Sequence, residues 1–151
     1  MTAANDAFIA WNSDFSLGVT EIDDQHKSLF DIINRLWLAI AMRADRDRMM
    51  SIASELERYT ITHFAVEEAF MRVIGHQDLA AHKRAHAAFV KRLGIERRSL
   101  AAGKPFTLDM LHFLKEWLTS HIQVMDRAYA KEHAASRRPE SFMGRLFQYF
   151  R

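Results

Sequence analysis

Cysteine is absent from the 151 residues, which removes disulfides, thiolate metal sites and thiol nucleophiles together. Proline occurs twice and glycine five times, so few residues interrupt helices or set turns. Long apolar runs are missing too. The longest, Leu36 to Met42, is far too short to cross a bilayer. Residues 1–15 lack a basic start followed by an apolar stretch, so no secretory signal is expected and a cytoplasmic location is. Nor is there a strong charge of one sign, the formal total being +2. From Ala134 onward the chain holds four arginines against one glutamate, a net of +3, which leaves the first 133 residues at −1. A body of that charge excludes a nucleic-acid binder, and the basic character sits in the tail.

What is present is the composition of an ordinary globular protein, 49% hydrophobic and 26% charged, in a length that suits one domain with a sizeable core. The apolar residues recur with helical spacing. Leu29, Phe30, Ile33, Leu36, Trp37 and Ile40 fall three, four, seven, ten, eleven and fourteen residues after His26. A second stripe runs through Met49, Ile52, Leu56, Tyr59, Val66, Phe70 and Ile74, a third through Leu79, Phe89, Val90 and Leu93. A fourth joins Leu111, Leu114, Trp117, Leu118, Ile122, Met125 and Tyr129. Thr20 with Asp23, Asp45, Asp78 and Thr107 are expected at the four helix starts, Gly75 at the second helix end, and Gly103-Lys104-Pro105 at the last break. Four such helices with short connections bury their stripes by packing up-down-up-down. The expected fold is therefore all-α: a four-helix bundle with an N-terminal loop (residues 1–134 in all) and a C-terminal extension over 135–151.

Polar residues intrude on all four stripes: His26 on the first, His63 and Glu67 on the second, His82 and His86 on the third, His121 and with it Asp126 on the fourth. His63 and Glu67, or His82 and His86, taken alone, read as ordinary i, i+4 surface pairs. That reading fails for four helices each placing such residues on its apolar face, because a buried carboxylate needs a cationic partner. Five imidazoles and two carboxylates exceed a simple mononuclear site and suit two six-coordinate ions bridged by carboxylates. Imidazole with carboxylate suits iron, and equally zinc, copper or nickel. His112 falls on the opposite side of its helix from His121 and, like His133, is expected in solvent. His76 is given no role, and Glu68, about 100° around the helix from Glu67, is expected at the surface or behind a ligand.

The pieces Gly18-Val19 through Ile22-Asp23-Asp24-Gln25-His26-Lys27-Ser28-Leu29-Phe30, His63-Phe64-x-x-Glu67-Glu68, His82-x-x-x-His86 and Trp117-Leu118-x-x-His121-Ile122-x-x-x-Asp126-x-x-Tyr129 together resemble the hemerythrin family, over about Trp11 to Tyr129. The resemblance implies two iron ions. His82, His86 and His121 would hold one, and His26 and His63 the other. Glu67 and Asp126 would bridge them together with an oxo or hydroxo group. It further implies an open position on the two-histidine iron, with Leu29, Phe64, Trp117, Leu118 and Ile122 as the apolar pocket around it. Reversible dioxygen binding for storage, transport or delivery is the implied function, by a monomer that is not an enzyme. The alternatives are a di-iron peroxidase, ferroxidase or nitric-oxide scavenger, and an oxygen- or redox-sensing module. Charge favours binding, since two ferric ions with one oxo bridge and two carboxylates keep a net positive charge. Four carboxylates would cancel it and stabilise the higher oxidation states that cleave the O–O bond.

Two expectations concern local geometry. His121 and Asp126 stand five apart, which on a regular helix leaves them about 140° from one another. Either a π-type bulge near 121–126 or a sideways reach by Asp126 is needed, and Tyr129 would then hydrogen-bond a bridging carboxylate. In the tail, Pro139 suits a first helical turn. Phe142, Met143, Leu146, Phe147, Tyr149 and Phe150 fall on one side, with Gly144, Arg145, Gln148 and Arg151 on the other. A short amphipathic helix over 139–151 would either cover an apolar patch of the bundle or dock on an anionic membrane surface or a protein client.

Overall fold

Val19, the residue before the first helix, has no side-chain oxygen, so α1 (Thr20–Ala41) starts without the cap expected from Thr20, which is itself the first helical residue. Asp23 works one turn in and reaches backwards instead. Its buried carboxylate accepts from the Leu17 N–H at 2.9 Å and the Ser16 hydroxyl at 2.7 Å, tying the lead-in segment to the helix. The computed structural model that shows this describes residues 7–136 and 140–149, with backbone alone for 140–143 and 149. The other helix starts follow the sequence more closely. Asp45 caps α2 (Arg46–Ile74) by accepting from the Arg48 N–H at 2.8 Å, and Gly75 ends it in the left-handed region at φ 70°. Asp78 flanks α3 (Leu79–Ala101) without a side-chain cap. Thr107 caps α4 (Leu108–His121) through the Met110 N–H at 3.2 Å.

The fourth helix does not stop at His121. It passes through a π-helical segment, Ile122–Asp126, and continues as α5 (Arg127–Ala135). Hydrogen bonds that span five residues bring Asp126 round toward the face of His121, so the expected bulge is present and the sideways reach is not needed. Asp126 is fully buried, whereas Met125, which a regular helix would put in register with His121, is only partly so.

α1 packs on α2, α2 on α3, and α1 on α4. Phe89 of α3 closes the ring of helices by stacking on Trp117 of α4 at 4.1 Å between centroids and facing Phe113 at 6.1 Å. The result is an all-α four-helix bundle with no strand among the described residues. Its core holds the expected stripe residues: Leu29, Ile33 and Leu36; Ile52, Leu56, Val66 and Phe70; Phe89 and Leu93; Leu111, Leu114, Leu118 and Ile122. The lead-in segment adds a second layer. Asn34 holds Ile9 by both its N–H and its carbonyl at 2.9 Å, and Trp11, Phe15 and Phe30 form a ring cluster at 5.2–5.7 Å. Across the molecule, the Arg127 guanidinium donates to the Asp14 carbonyl.

The tail forms α6 (Glu140–Tyr149). Phe147 is buried and Leu146 packs against the core, while Gly144, Arg145 and Gln148 are exposed, in line with the expected two-sided helix. Pro139, Phe150, Arg151 and the side chains of Phe142, Met143 and Tyr149 lie outside the described residues. No described helix is long and apolar enough to cross a membrane.

Candidate metal centre

The seven polar residues that interrupt the four stripes meet at one place. His26 and Glu67 are 0% exposed, as are His82 and Asp126, and His63, His86 and His121 are at most 5% exposed. Each helix contributes from its buried face: α1 gives His26, α2 gives His63 and Glu67, α3 gives His82 and His86, and α4 with the π segment gives His121 and Asp126.

The two carboxylates divide the imidazoles into two sets. Glu67 Oε1 lies 2.8 Å from His63 Nε2 and 3.0 Å from His26 Nε2, while Oε2 lies 3.2 Å from His86 Nε2 and 3.7 Å from His82 Nε2. Asp126 repeats the pattern. Its Oδ2 is 3.2 Å from His26 Nε2, and its Oδ1 is 3.1 Å from both His82 Nε2 and His121 Nε2. Each carboxylate thus offers one oxygen to a two-histidine half and the other to a three-histidine half. The five donor groups of the larger half, Glu67, His82, His86, His121 and Asp126, lie within 4.8 Å of one another, as do His26, His63 and Glu67 in the smaller.

Hydrogen bonding does not account for these contacts. His121 Nε2 lies 2.9 Å from His82 Nε2 and 3.1 Å from His86 Nε2 as well as 3.1 Å from Asp126 Oδ1. One ring nitrogen shares a proton with one neighbour at most. Glu67 Oε2 and both Asp126 oxygens are buried without a hydrogen-bond partner among the described residues, although imidazole nitrogens stand close by. Lone pairs converge instead on common points. A cation about 2.1 Å from two nitrogens at right angles separates them by about 3.0 Å, which is the spacing found here. The donor chemistry also fits, because buried carboxylates with neutral imidazoles suit a transition metal such as iron.

Without a cation the same groups compete for protons. Burial pulls the His26 imidazole down, but the adjacent carboxylates of Asp126 and Glu67 favour its protonated form, outweigh burial and raise its pKa to about 9. His82 reaches about 9 by the same balance. For His63 burial wins, and its pKa falls. Burial also pushes up on Glu67, but the surrounding His63, His26 and His82 hold its carboxyl well below the usual range. Asp126 is lowered as well, with burial and Glu67 outweighed by His121 and His26. The Tyr129 phenol is pushed well up by burial and by the charges of Glu67 and Asp126. It therefore stays protonated and donates to Glu67 Oε1 at 3.3 Å, the contact expected of it.

Two imidazoles are held from behind. His63 Nδ1 stands 2.6 Å from Gln25 Oε1, and His86 Nδ1 stands 2.9 Å from Glu68 Oε2. The spacing of Gln25 does not point to this contact, since its target is 38 residues away on another helix. Of the two positions expected for Glu68, the one behind a site histidine is the one it takes. Of the five residues expected to form an apolar pocket, Phe64 lies flat on His86 (3.7 Å, 3°) and Trp117 flat on His121 (4.4 Å, 11°), both in the three-histidine half. Leu29, Leu118 and Ile122 are buried, each within one helical turn of a site histidine. A surface groove of about 600 Å³ between α2 and α3 reaches His86 and Glu68, with Lys83 and Lys91 on its walls. Outside the cluster, His112 is exposed, as expected. His133 departs from expectation: it is half-buried with its ring on Phe70 at 5.2 Å, because α5 continues the packed face of the fourth helix. His76 is buried and pairs with Glu132, joining the α2–α3 turn to α5.

The family model described as "Hemerythrin HHE cation binding domain" matches residues 17–132. The chain is similar to the bacteriohemerythrin of Stenotrophomonas maltophilia (strain R551-3), 34% identical over 126 residues that cover 83% of this chain and 82% of that protein. It is also 34% identical to the bacteriohemerythrin of Clostridium acetobutylicum over 125 residues, covering 79% of this chain and 96% of the relative. A solved wild-type hemerythrin structure matches with a TM-score of 0.77 at 31% identity, over 83% of this chain and 97% of its own.

Proposed function

The chain belongs to the hemerythrin family, and on that premise we propose that it binds dioxygen reversibly at a pair of iron ions held in the bundle core. Family and donor cluster together support a di-iron oxygen-binding protein rather than a catalyst. The observation that carries the finer reading is the division of Glu67 and Asp126, each with one oxygen toward either half of the cluster. His82, His86 and His121 would hold one ion and His26 and His63 the other, with both carboxylates and an oxo or hydroxo group between them. Iron held there would supply the two electrons that dioxygen takes up on binding and returns on release.

The protein's part is to keep that exchange reversible. The smaller half has one imidazole fewer, which leaves room for an exogenous ligand on that side. Leu29, Leu118 and Ile122, with Phe64 and Trp117 over the neighbouring imidazoles, are the side chains that would exclude water and protons from it. Tyr129 holds its proton on Glu67 rather than releasing it to the site. Two carboxylates with five neutral imidazoles leave an iron pair net positive, which favours release of intact dioxygen over its cleavage. Residues 135–151 are an extension, and the burial of Phe147 supports a role in covering the bundle over docking on a membrane or client.

Metal analysis and an anaerobic-to-aerobic optical titration of the iron-loaded protein test this reading. Two irons per chain and a spectrum that appears with oxygen and disappears on its removal are expected. One ion per chain, or oxidation that cannot be reversed by removing oxygen, would overturn it.

A further inference from the structure

His63 and His86 are arranged alike but backed differently. Each points Nε2 at Glu67, at 2.8 Å and 3.2 Å, and each points Nδ1 at a side-chain oxygen. For His63 that oxygen is the neutral amide of Gln25, and for His86 it is the carboxylate of Glu68. A ring that gives its Nε2 lone pair to a cation carries its proton on Nδ1, so both rings donate backwards. A carboxylate accepts such a bond roughly twice as strongly as an amide does. It draws the proton away and leaves the ring a more basic, more electron-donating ligand.

We propose that Glu68, acting through His86, makes the two metal positions electronically unequal, so that the three-histidine position holds the higher oxidation state more readily than the two-histidine position. This rests on the di-iron reading above. Orientation alone does not explain Glu68, because Phe64 already fixes the plane of His86 by lying flat against it, whereas it meets His63 at 5.9 Å and 46°. Nor is the charge of Glu68 neutralised at the surface. Its side chain is 22% exposed, and among the described residues its ion-pair partner is His86; neither Lys83 nor Lys91, which share its groove, pairs with it. The half that carries one imidazole more is thus the half biased toward ferric iron. Glu68 is a positioning residue in this sense: it touches the ligand, not the metal.

Three variants separate charge from shape: Glu68→Gln, which keeps an acceptor oxygen, Glu68→Ala, which removes it, and Gln25→Glu, which places a carboxylate behind the other half. Iron content is measured first, then the midpoint potentials by a mediated redox titration. Both Glu68 variants are expected to shift the couple of the three-histidine position upward by similar amounts, and Gln25→Glu to shift the other couple downward. A potential for Glu68→Gln equal to that of the parent, with only Glu68→Ala displaced, would mean a structural role and overturn the proposal. A readout that needs no iron chemistry is the Nδ1 proton resonance of the zinc-loaded protein. Glu68→Gln should move the His86 resonance upfield and leave that of His63 in place; an unmoved His86 resonance would also overturn it. One iron per chain would fell the di-iron reading and this inference with it, while two irons with unmoved potentials would fell the inference alone.

Discussion

Glu67 and Asp126 set the protonation of the metal-free core, and through it the pH response of the whole protein. His26 and His82 have folded-state pKa values of about 9 against 6.5 for the free imidazole. Raised values mean that the protonated rings stabilise the fold fully below pH 6.5, and that this contribution is lost as pH rises toward 9. Glu67 and Asp126 are lowered, so their contribution is lost only in acid, and the lowered His63 is already neutral above 6.5. A metal must displace the protons on His26 and His82, so apparent metal affinity rises over the interval in which the apo protein weakens. Thermal melts at pH 6, 7.5 and 9 should therefore show the apo Tm falling and the gap between holo and apo forms widening. A constant gap would contradict the shared-ligand assignment. Which histidine Gln25 and Glu68 would meet is what the sequence conceals. Gln25 and Glu68 sit beside ligands in the chain, but each meets a histidine of another helix, and no periodicity reports a contact of that kind.

Among the elements, the π segment is the one whose geometry follows from a single count. A spacing of five from His121 to Asp126 is incompatible with a regular turn if both side chains face inward, and the helix accommodates the extra residue at Ile122–Asp126. Stripes and caps were legible for a related reason: apolar spacing and side-chain oxygens at helix starts act locally, within one or two turns. The start of α1 was misread because Asp23 serves the loop before it, a contact set by tertiary packing. Deleting the exposed Val124 makes the spacing four, which a regular helix satisfies with both side chains still inward. The carboxylate then moves along the helix by about 1.5 Å, well beyond the few tenths of an ångström that coordination tolerates. The deletion variant is expected to match or exceed the parent in apo Tm while losing bound iron, as measured by melting and metal analysis. An apo form that fails to fold, or a variant that keeps two irons, would show that the bulge serves something other than the placement of Asp126.

At the scale of the molecule, the donors are spread along the chain from His26 to Asp126, and the last of them lies on a helix fastened to the first segment by the Arg127 to Asp14 contact, 113 residues apart in sequence. Closing so long a span is entropically slow, so the fourth helix is expected to dock late in folding. Until it does, Glu67 has no bridging counterpart and the three-histidine half lacks His121. Metal therefore has little to grip in the transition state and much in the native state. In kinetic terms, iron bound there would act as a brake on opening rather than a template for folding. Chevron plots with and without metal should share their refolding limb and differ in the unfolding limb, the holo protein opening many-fold more slowly. The bound iron would then be retained for as long as the fourth helix stays docked, so the lifetime of the loaded protein is set by how often that one helix comes away.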